Sequence, residues 1–191
     1  MGVSSNPALW DAARASGIVA YVLLTLVAVI GLSLSGRLKL ERWPRFAVEE
    51  VHRFGGLLVG TFIWIHVLTV ALDSYQPFSL GQLVVPFTSS YRPFWTGLGI
   101  VSAELLLALA VTNALRKRIP YRVWRSLHAL NMVVWLAASA HGIWGGSDGA
   151  RPWLVGLYAG SICAVVLAYG AARSSSTKPK RTLSTQPSPR R

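Results

Sequence analysis

HRFGGLLVGTFIWIH, residues 52–66, is an apolar stretch with a histidine at each end. A second stretch, WRSLHALNMVVWLAASAHG at residues 124–142, also contains two histidines, His128 and His141. Together the two stretches hold all four histidines of the chain. Ionisable residues are rare in membrane-spanning helices and usually face the bundle interior or a cavity. If these stretches cross a membrane, all four histidines are candidate functional residues.

The composition favours a membrane protein. Of the 191 residues, 52% are hydrophobic and 14% are charged, whereas soluble domains carry about 25% charged residues. The formal charge of +12 comes from short basic clusters between apolar runs, not from a basic stripe on one polar face, so nucleic acid is not an expected partner. The single cysteine, Cys163, excludes an intramolecular disulfide and a CxxCH haem attachment site, and we expect it to be a small buried residue.

Five apolar runs are long enough to cross a bilayer, which takes about 20 helical residues. Because lipid offers no partners for free backbone groups, these runs are predicted to be helices. The fold class predicted is therefore an all-α membrane protein, a bundle of five transmembrane helices. The predicted spans are residues 13–34, 47–72, 95–115, 121–144 and 152–172.

The basic residues predict the orientation of the bundle. Sixteen of the 19 Lys and Arg residues lie around the first connection, the third connection and the chain after residue 172. Positive residues concentrate on the cytoplasmic side, so we expect the N-terminus outside, the C-terminus in the cytoplasm, and the longest loop, residues 73–94, outside. Residues 1–172 form one predicted domain, and residues 173–191 a disordered basic tail. No removable signal peptide is expected, and lipid is the expected contact of a multi-pass protein of a bacterial inner membrane.

The spacing of the histidines predicts two pairs. His52 and His66 are 14 residues apart, which is about 21 Å along a helix and about 40° short of four whole turns, so both rings share one face. The second and fourth spans run parallel, so His52 lies at the depth of His128 and His66 at the depth of His141. His128 and His141 are 13 residues apart, which leaves them about 140° apart on an ideal helix. Either the helix is irregular or shortened at residues 137–146, which the three glycines in that stretch permit, or a group bound at the outer pair is approached from another side.

Facing imidazoles at two depths are suited to two six-coordinate haems with histidine on both axial positions. A structural zinc site needs four ligands. A di-iron carboxylate site is suggested by Glu49 and His52, which form Glu-x-x-His, but the matching position before His128 is Arg125. An arginine there, like Arg53 and Arg122, would suit a haem propionate; for each of the three, cytoplasmic charge bias alone is an equally good explanation.

At these residues the chain resembles the ferric reductase-like transmembrane domain, shared by ferric reductases, NADPH oxidases and the haem-binding membrane subunit of a bacterial methionine sulfoxide reductase system. The resemblance covers residues 47–146, and histidine pairs 14 and 13 residues apart are that family's ligand pattern. It implies that His52 and His128 ligate the iron of a cytoplasmic-side haem and that His66 and His141 ligate the iron of an outer haem. Both groups would be non-covalent haem b.

Many members of this family have six helices and continue into a cytoplasmic FAD and NADPH domain. Residues 173–191 contain no GxGxxG motif, so FAD or FMN is expected only on a separate partner. No catalytic side chain is predicted, and whether the chain is itself an enzyme stays open.

The sequence thus predicts a di-haem b-type cytochrome that moves electrons from the cytoplasmic side to an outer acceptor such as ferric iron. One alternative is the haem-binding membrane anchor subunit of a multi-subunit oxidoreductase, which would exchange electrons with a flavoprotein or quinone. Another is a transporter that uses the four histidines for a metal or protons. Several aromatic residues are expected to anchor the helices at the membrane interfaces: Trp43, Tyr91, Trp95, Tyr121, Trp124, Trp144 and Trp153.

Overall fold

The computed structural model describes residues 7–36, 43–74 and 77–176, and every regular element in these ranges is helical. This confirms the all-α class. A 3₁₀ turn, Arg116–Arg118, and a π-helical segment, His141–Gly145, join seven α-helices. The helices are α1 Pro7–Ser35, α2 Arg45–Leu72, α3 Leu80–Val84, α4 Pro93–Ala114, α5 Tyr121–Ala129, α6 Asn131–Ala140 and α7 Pro152–Ser176.

Four of these helices are long and apolar enough to cross a membrane: α1, α2, α4 and α7. They correspond to four of the five predicted spans. The remaining predicted span, residues 121–144, is not one continuous helix, because it divides into α5, α6 and the π-helical segment. The structure therefore supports a multi-pass membrane protein and shows that one expected span is segmented.

Proline marks the start of several helices, as its fixed φ angle and missing N–H allow. Pro7 begins α1, six residues before the predicted start of the span, Pro93 begins α4, and Pro152 begins α7. The predicted outer loop contains the short helix α3, which begins with a capping box in which Ser79 and Gln82 bond each other's backbone N–H.

The predicted tail boundary at residue 173 lies inside a helix, because α7 continues to Ser176. The rest of the predicted tail, residues 177–191, lies outside the described residues. The same is true of residues 37–42, which include three of the basic residues of the first connection.

α1 lies at the centre of the helix packing. It packs against α2, α7 and α6, while α4 packs against α6 and the π-helical segment. The buried core draws one or more side chains from α1, α2, α4, α6 and α7: Tyr21, Leu24, Val59, Leu109, Val134, Trp135, Leu154, Tyr158 and Val165. Since α2 makes its main contacts with α1, the position of its histidines depends on that single helix pair.

Two hydrogen bonds between side chains cross the core from α6 to α1. The Trp135 Nε1–H donates to Thr25 Oγ1 at 3.0 Å, and the Ser139 hydroxyl donates to the Tyr21 hydroxyl at 3.1 Å. The Tyr21 ring in turn lies 4.8 Å from the ring of Tyr158 on α7. These contacts satisfy polar groups that would otherwise be buried without partners, which is costly where no water can reach.

The outward surfaces of the long helices are apolar. On α2, Leu57 is 71% exposed and Trp64 is 68% exposed, as expected for side chains that face lipid rather than water. Cys163 on α7 is also exposed. The expectation that it is buried was wrong, because its position on α7 faces away from the neighbouring helices.

The Thr25→Val variant tests the α1–α6 contact. The substitution keeps the shape of the side chain but removes the acceptor for Trp135 Nε1–H, and hydrogen bonds between membrane helices contribute about 0.6–1.7 kcal/mol. We expect a lower thermal unfolding midpoint in detergent. Thr61→Val is the matched control, because Thr61 is exposed and its hydroxyl donates to the Leu57 carbonyl of its own helix. Equal midpoints for the two variants would contradict this assignment.

Candidate functional site

The four histidines form two pairs between α2 and the α5–α6 region. The ring centres of His52 and His128 are 6.1 Å apart, and those of His66 and His141 are 6.3 Å apart. The ring planes cross at 66° and 74°. All four side chains are partly buried. The structure therefore brings the predicted residues together in the predicted combinations.

The predicted span at residues 121–144 is irregular, and this irregularity makes the pairing of His66 with His141 possible. At Leu130, between α5 and α6, the N–H of Leu130 bonds the Leu127 carbonyl and the N–H of Val133 bonds the Leu130 carbonyl, both at 2.9 Å. Bonds that span three residues tighten the helix to about 120° per residue instead of about 100°, which rotates His141 toward the face of His128. The π-helical segment then begins at His141. The expected irregularity is confirmed within residues 137–146, and the turn at Leu130 adds a second one.

Three of the four rings bond a main-chain carbonyl through Nδ1. His66 Nδ1 lies 2.7 Å from the Ala13 carbonyl oxygen, and His52 Nδ1 lies 3.1 Å from that of Val27, both on α1. His141 Nδ1 lies 2.9 Å from the Trp95 carbonyl oxygen on α4. A carbonyl oxygen can only accept, so each Nδ1 carries the proton. This leaves Nε2 as the nitrogen available to a ligand.

His128 is held differently. Its ring stacks on the Trp124 indole, with centres 5.2 Å apart and planes 23° apart. Its Nδ1 lies 3.5 Å from the Asn131 amide nitrogen, and that amide also donates to the His128 carbonyl at 2.8 Å. His128 is thus positioned by packing on its own helical segment rather than by the backbone of a neighbouring helix.

The donor set limits which metal sites are possible. Within residues 7–36, 43–74 and 77–176, no group of three or more His, Cys, Asp or Glu side chains could hold a metal ion. Glu49 and His52 are in no such group, and the Glu49 carboxylate instead accepts from Arg45 Nε at 2.8 Å. Each pair therefore offers two ring nitrogens, too few for a structural zinc site.

The spacing within each pair suits two ligands on opposite sides of one metal ion. Metal–imidazole nitrogen bonds are about 2.0–2.1 Å long, and a ring nitrogen lies roughly 1.1 Å from the centre of its ring. Two rings bound in this way have centres roughly 6.2–6.4 Å apart. The observed separations of 6.1 and 6.3 Å agree with this geometry.

Polar groups near His128 include one unusual donor. Trp124 Nε1 is buried and has no hydrogen-bond partner among the described residues. Arg122 and Arg125 on the same helix are exposed, and neither forms an ion pair with the part of the chain that the structure describes. Arg53, in contrast, donates to Glu50 at 2.7 Å. The indole donor and the two arginines are thus free to bind an anionic group.

A single arginine holds the segment that carries His141. Arg92 has a left-handed backbone conformation, with φ 43°, and its guanidinium donates to the carbonyls of Trp144 at 2.6 Å and Gly146 at 3.2 Å. Beside it, the rings of Trp95 and Trp144 stack with centres 4.8 Å apart. The expectation that Trp95, Trp124 and Trp144 only anchor the helices was therefore incomplete, since all three lie beside a histidine pair or the segment that supports one.

Sequence reasoning missed Arg92 as a supporting residue, because its partners are main-chain carbonyls in and directly after the π-helical segment. It also missed the acceptors Ala13, Val27 and Trp95, since every residue type has the same main-chain carbonyl and the sequence does not single these three out. A usable signal did exist in α1, where Gly17 and Gly31 are 14 residues apart, the same interval that separates His52 from His66.

A family model described as ferric reductase like transmembrane component matches residues 16–139 of the chain, well over half of its length. The matched range contains His52, His66 and His128, and it ends two residues before His141. No curated protein and no solved structure matches the chain.

The Arg92→Met variant tests the support of the His141 segment. Loss of both bonds to carbonyls should raise the amide hydrogen-exchange rates of residues 144–149 several-fold, while α6 keeps its protection. Arg116→Met, an exposed arginine of the 3₁₀ turn, is the control and should leave these rates unchanged. If both variants exchange like the unmodified protein, Arg92 does not hold this segment.

Proposed function

The chain belongs to the ferric reductase-like transmembrane component family, and we propose on that basis that it is a membrane cytochrome with two non-covalent haem b groups. One haem would lie between His52 and His128, and the other between His66 and His141. The observation that carries this proposal is the ring separation in both pairs, because centres 6.1 and 6.3 Å apart would let the two histidines of each pair hold one metal ion between them. When bound, haem supplies one-electron redox chemistry, and histidine on both sides favours electron transfer over O₂ binding.

Hydrogen bonding supports the same assignment. Metal-bound histidines usually donate the other ring N–H to a carbonyl or carboxylate, which fixes the tautomer and raises the basicity of the ligating nitrogen. His52, His66 and His141 meet this condition through the carbonyls of α1 and α4. Their Nε2 atoms are therefore unprotonated and have a lone pair that can bind iron.

We assign the anionic propionates of the first haem to the donors near His128. Trp124 Nε1–H is buried without a partner in the described residues, and a carboxylate would satisfy it. Arg122 and Arg125 can add charge-assisted hydrogen bonds to the same group. Arg53 is the weaker candidate of the three arginines, because Glu50 already accepts from it.

In this proposal residues 121–145 form a fifth crossing, parallel to α2, since His128 pairs with His52 and His141 with His66. The charge bias favours a cytoplasmic position for the His52–His128 pair and an outer position for the His66–His141 pair in the cell membrane. Electrons would enter at the first pair and leave at the second for an outer acceptor such as ferric iron.

A second candidate, a subunit that receives electrons from a separate flavoprotein, is favoured by the charges near the first pair. Arg45 and Arg53 on α2 are neutralised by glutamates. Five cations between α4 and His128 have no ion-pair partner among the described residues: Arg116, Lys117, Arg118, Arg122 and Arg125. An acidic face of a donor protein would complement them. Copurification of a flavin-containing protein, released by salt, would support this candidate.

Haem content tests the central assignment. A pyridine haemochrome assay with metal analysis should find two haems per chain in the purified protein. His66→Ala and His141→Ala should each remove the outer haem and leave the inner one, and His52→Ala and His128→Ala should do the reverse. The two variants of one histidine pair serve as the control for the two variants of the other.

Two results would refute the assignment. Full haem content in all four variants would mean that other residues ligate the iron. A protein without a Soret band but with bound zinc would indicate a metal-handling function for the histidines instead.

The Trp124→Phe variant tests the assigned propionate donor. Phenylalanine keeps an aromatic ring against His128 but has no N–H. We expect faster loss of the inner haem to apomyoglobin, by several-fold, and unchanged loss of the outer haem. Trp153→Phe, an exposed tryptophan at the start of α7, is the control. Identical transfer rates in both variants would show that the indole N–H does not bind the group.

A further inference from the structure

We propose that Gly17, Gly31 and Gly99 are positioning residues, each of which leaves one main-chain carbonyl open to a histidine ring. The inference deepens the proposed function, on which it rests for the ligand role of the histidines. It does not rest on it for the position of the rings, which can be measured without haem.

The same arrangement occurs three times. In each case the carbonyl that accepts from the histidine belongs to the residue four positions before a glycine: Ala13 before Gly17, Val27 before Gly31, and Trp95 before Gly99. Two of these sites lie on α1 and one lies on α4. Their recurrence on two helices, against three different histidines, indicates one structural cause.

Helix geometry supplies that cause. In an α-helix the Cα–Cβ bond tilts toward the N-terminus, so a side chain covers the turn that precedes it. The side chain of residue i+4 therefore lies over the carbonyl of residue i. That carbonyl already accepts from the N–H of residue i+4 within the helix, and its second lone pair can accept from an imidazole only if the space above it is empty.

At all three positions an added Cβ would come closer to the ring than ordinary van der Waals contact. A Cβ on Gly17 would lie 3.0 Å from His66 Nδ1, and one on Gly31 would lie 3.0 Å from His52 Cε1. A Cβ on Gly99 would lie 2.6 Å from His141 Nδ1, so the ring would have to move. An alanine at position 99 would thus force the His141 ring to shift, and one at position 17 or 31 would push the facing ring a few tenths of an ångström from its place.

Gly145 also lies against a histidine ring, since its Cβ would be 3.1 Å from His141 Nδ1, but the carbonyl that bonds that ring belongs to Trp95 on α4. Two observations provide references for Gly17, Gly31 and Gly99. A Cβ on Gly56 or Gly60 of α2, or on Gly160 of α7, would have no neighbouring atom within 4 Å, so an alanine there meets open space. His128, whose Nδ1 has no carbonyl partner among the described residues, also has no such glycine against its ring. It provides an internal reference for the other three histidines.

The first experiment reads the rings directly. Nitrogen NMR of ¹⁵N-histidine-labelled, reduced full-length protein should show that His52, His66 and His141 each carry the proton on Nδ1. Gly17→Ala should shift the signals of His66 alone, Gly31→Ala those of His52, and Gly99→Ala those of His141 by the largest amount. Gly56→Ala, Gly60→Ala and Gly160→Ala are the controls and should leave all four histidines unchanged. This readout does not depend on whether the protein holds haem.

The second experiment reads the ligand role. In the haem-loaded protein, Gly17→Ala should change the low-spin EPR signal and midpoint potential of one haem, or reduce its content by more than half. Gly31→Ala should do the same to the other haem. Because both glycines lie on α1, each variant is the folding control for the other.

The proposal is overturned if the alanine variants leave the histidine signals as the controls do. It is also overturned if Gly17→Ala and Gly31→Ala disturb both histidine pairs equally, since that result means a general packing defect in α1. Selective ring shifts in a protein that binds no haem would instead support the positioning role and refute the proposed function.

Discussion

A main-chain carbonyl can accept a hydrogen bond but cannot donate one, and this constraint determines the chemistry of three of the four histidines. Because Val27, Ala13 and Trp95 present carbonyl oxygens to Nδ1, the proton is fixed on that nitrogen and Nε2 remains free. The arrangement requires the backbone of a neighbouring helix to approach the ring closely. The packing of α1 on α2, and of α4 on the His141 segment, is therefore what places the proton of these three rings on Nδ1.

Much of the site could be predicted from the sequence, because histidines in apolar helices are few and their spacing is informative. The interval of 14 residues from His52 to His66 predicts that both lie on one face, and the structure confirms the pairing with His128 and His141. The awkward interval of 13 residues predicts a distorted helix, and a π-helical segment begins at His141. The arithmetic could not locate the tight turn at Leu130, since nothing in the local sequence, LHALNM, breaks a helix.

The features that sequence reasoning missed depend on tertiary contacts. Cys163 is exposed. Its exposure could not be predicted, because the outward face of a membrane helix is as apolar as its inward face and composition does not distinguish the two faces. Residue type alone predicts an interfacial role for Trp124, whereas its ring stacks on His128 and its N–H is buried. Every residue has a carbonyl acceptor, so the sequence does not show which carbonyl bonds a histidine. The glycine four residues after that carbonyl is the one feature of the arrangement that can be seen in the sequence.

The matching intervals in α1 and α2 explain how two sites can be held by one helix pair. The helices are antiparallel, since Gly17 lies against His66 and Gly31 against His52. Fourteen residues advance both helices by about 21 Å, so an open carbonyl on α1 meets a histidine on α2 at both ends only if the two intervals are equal. A shift of either residue by one position would rotate it by about 100° and lose the contact. The separation of the two pairs is thus specified twice, once by the histidines and once by the glycines that support them.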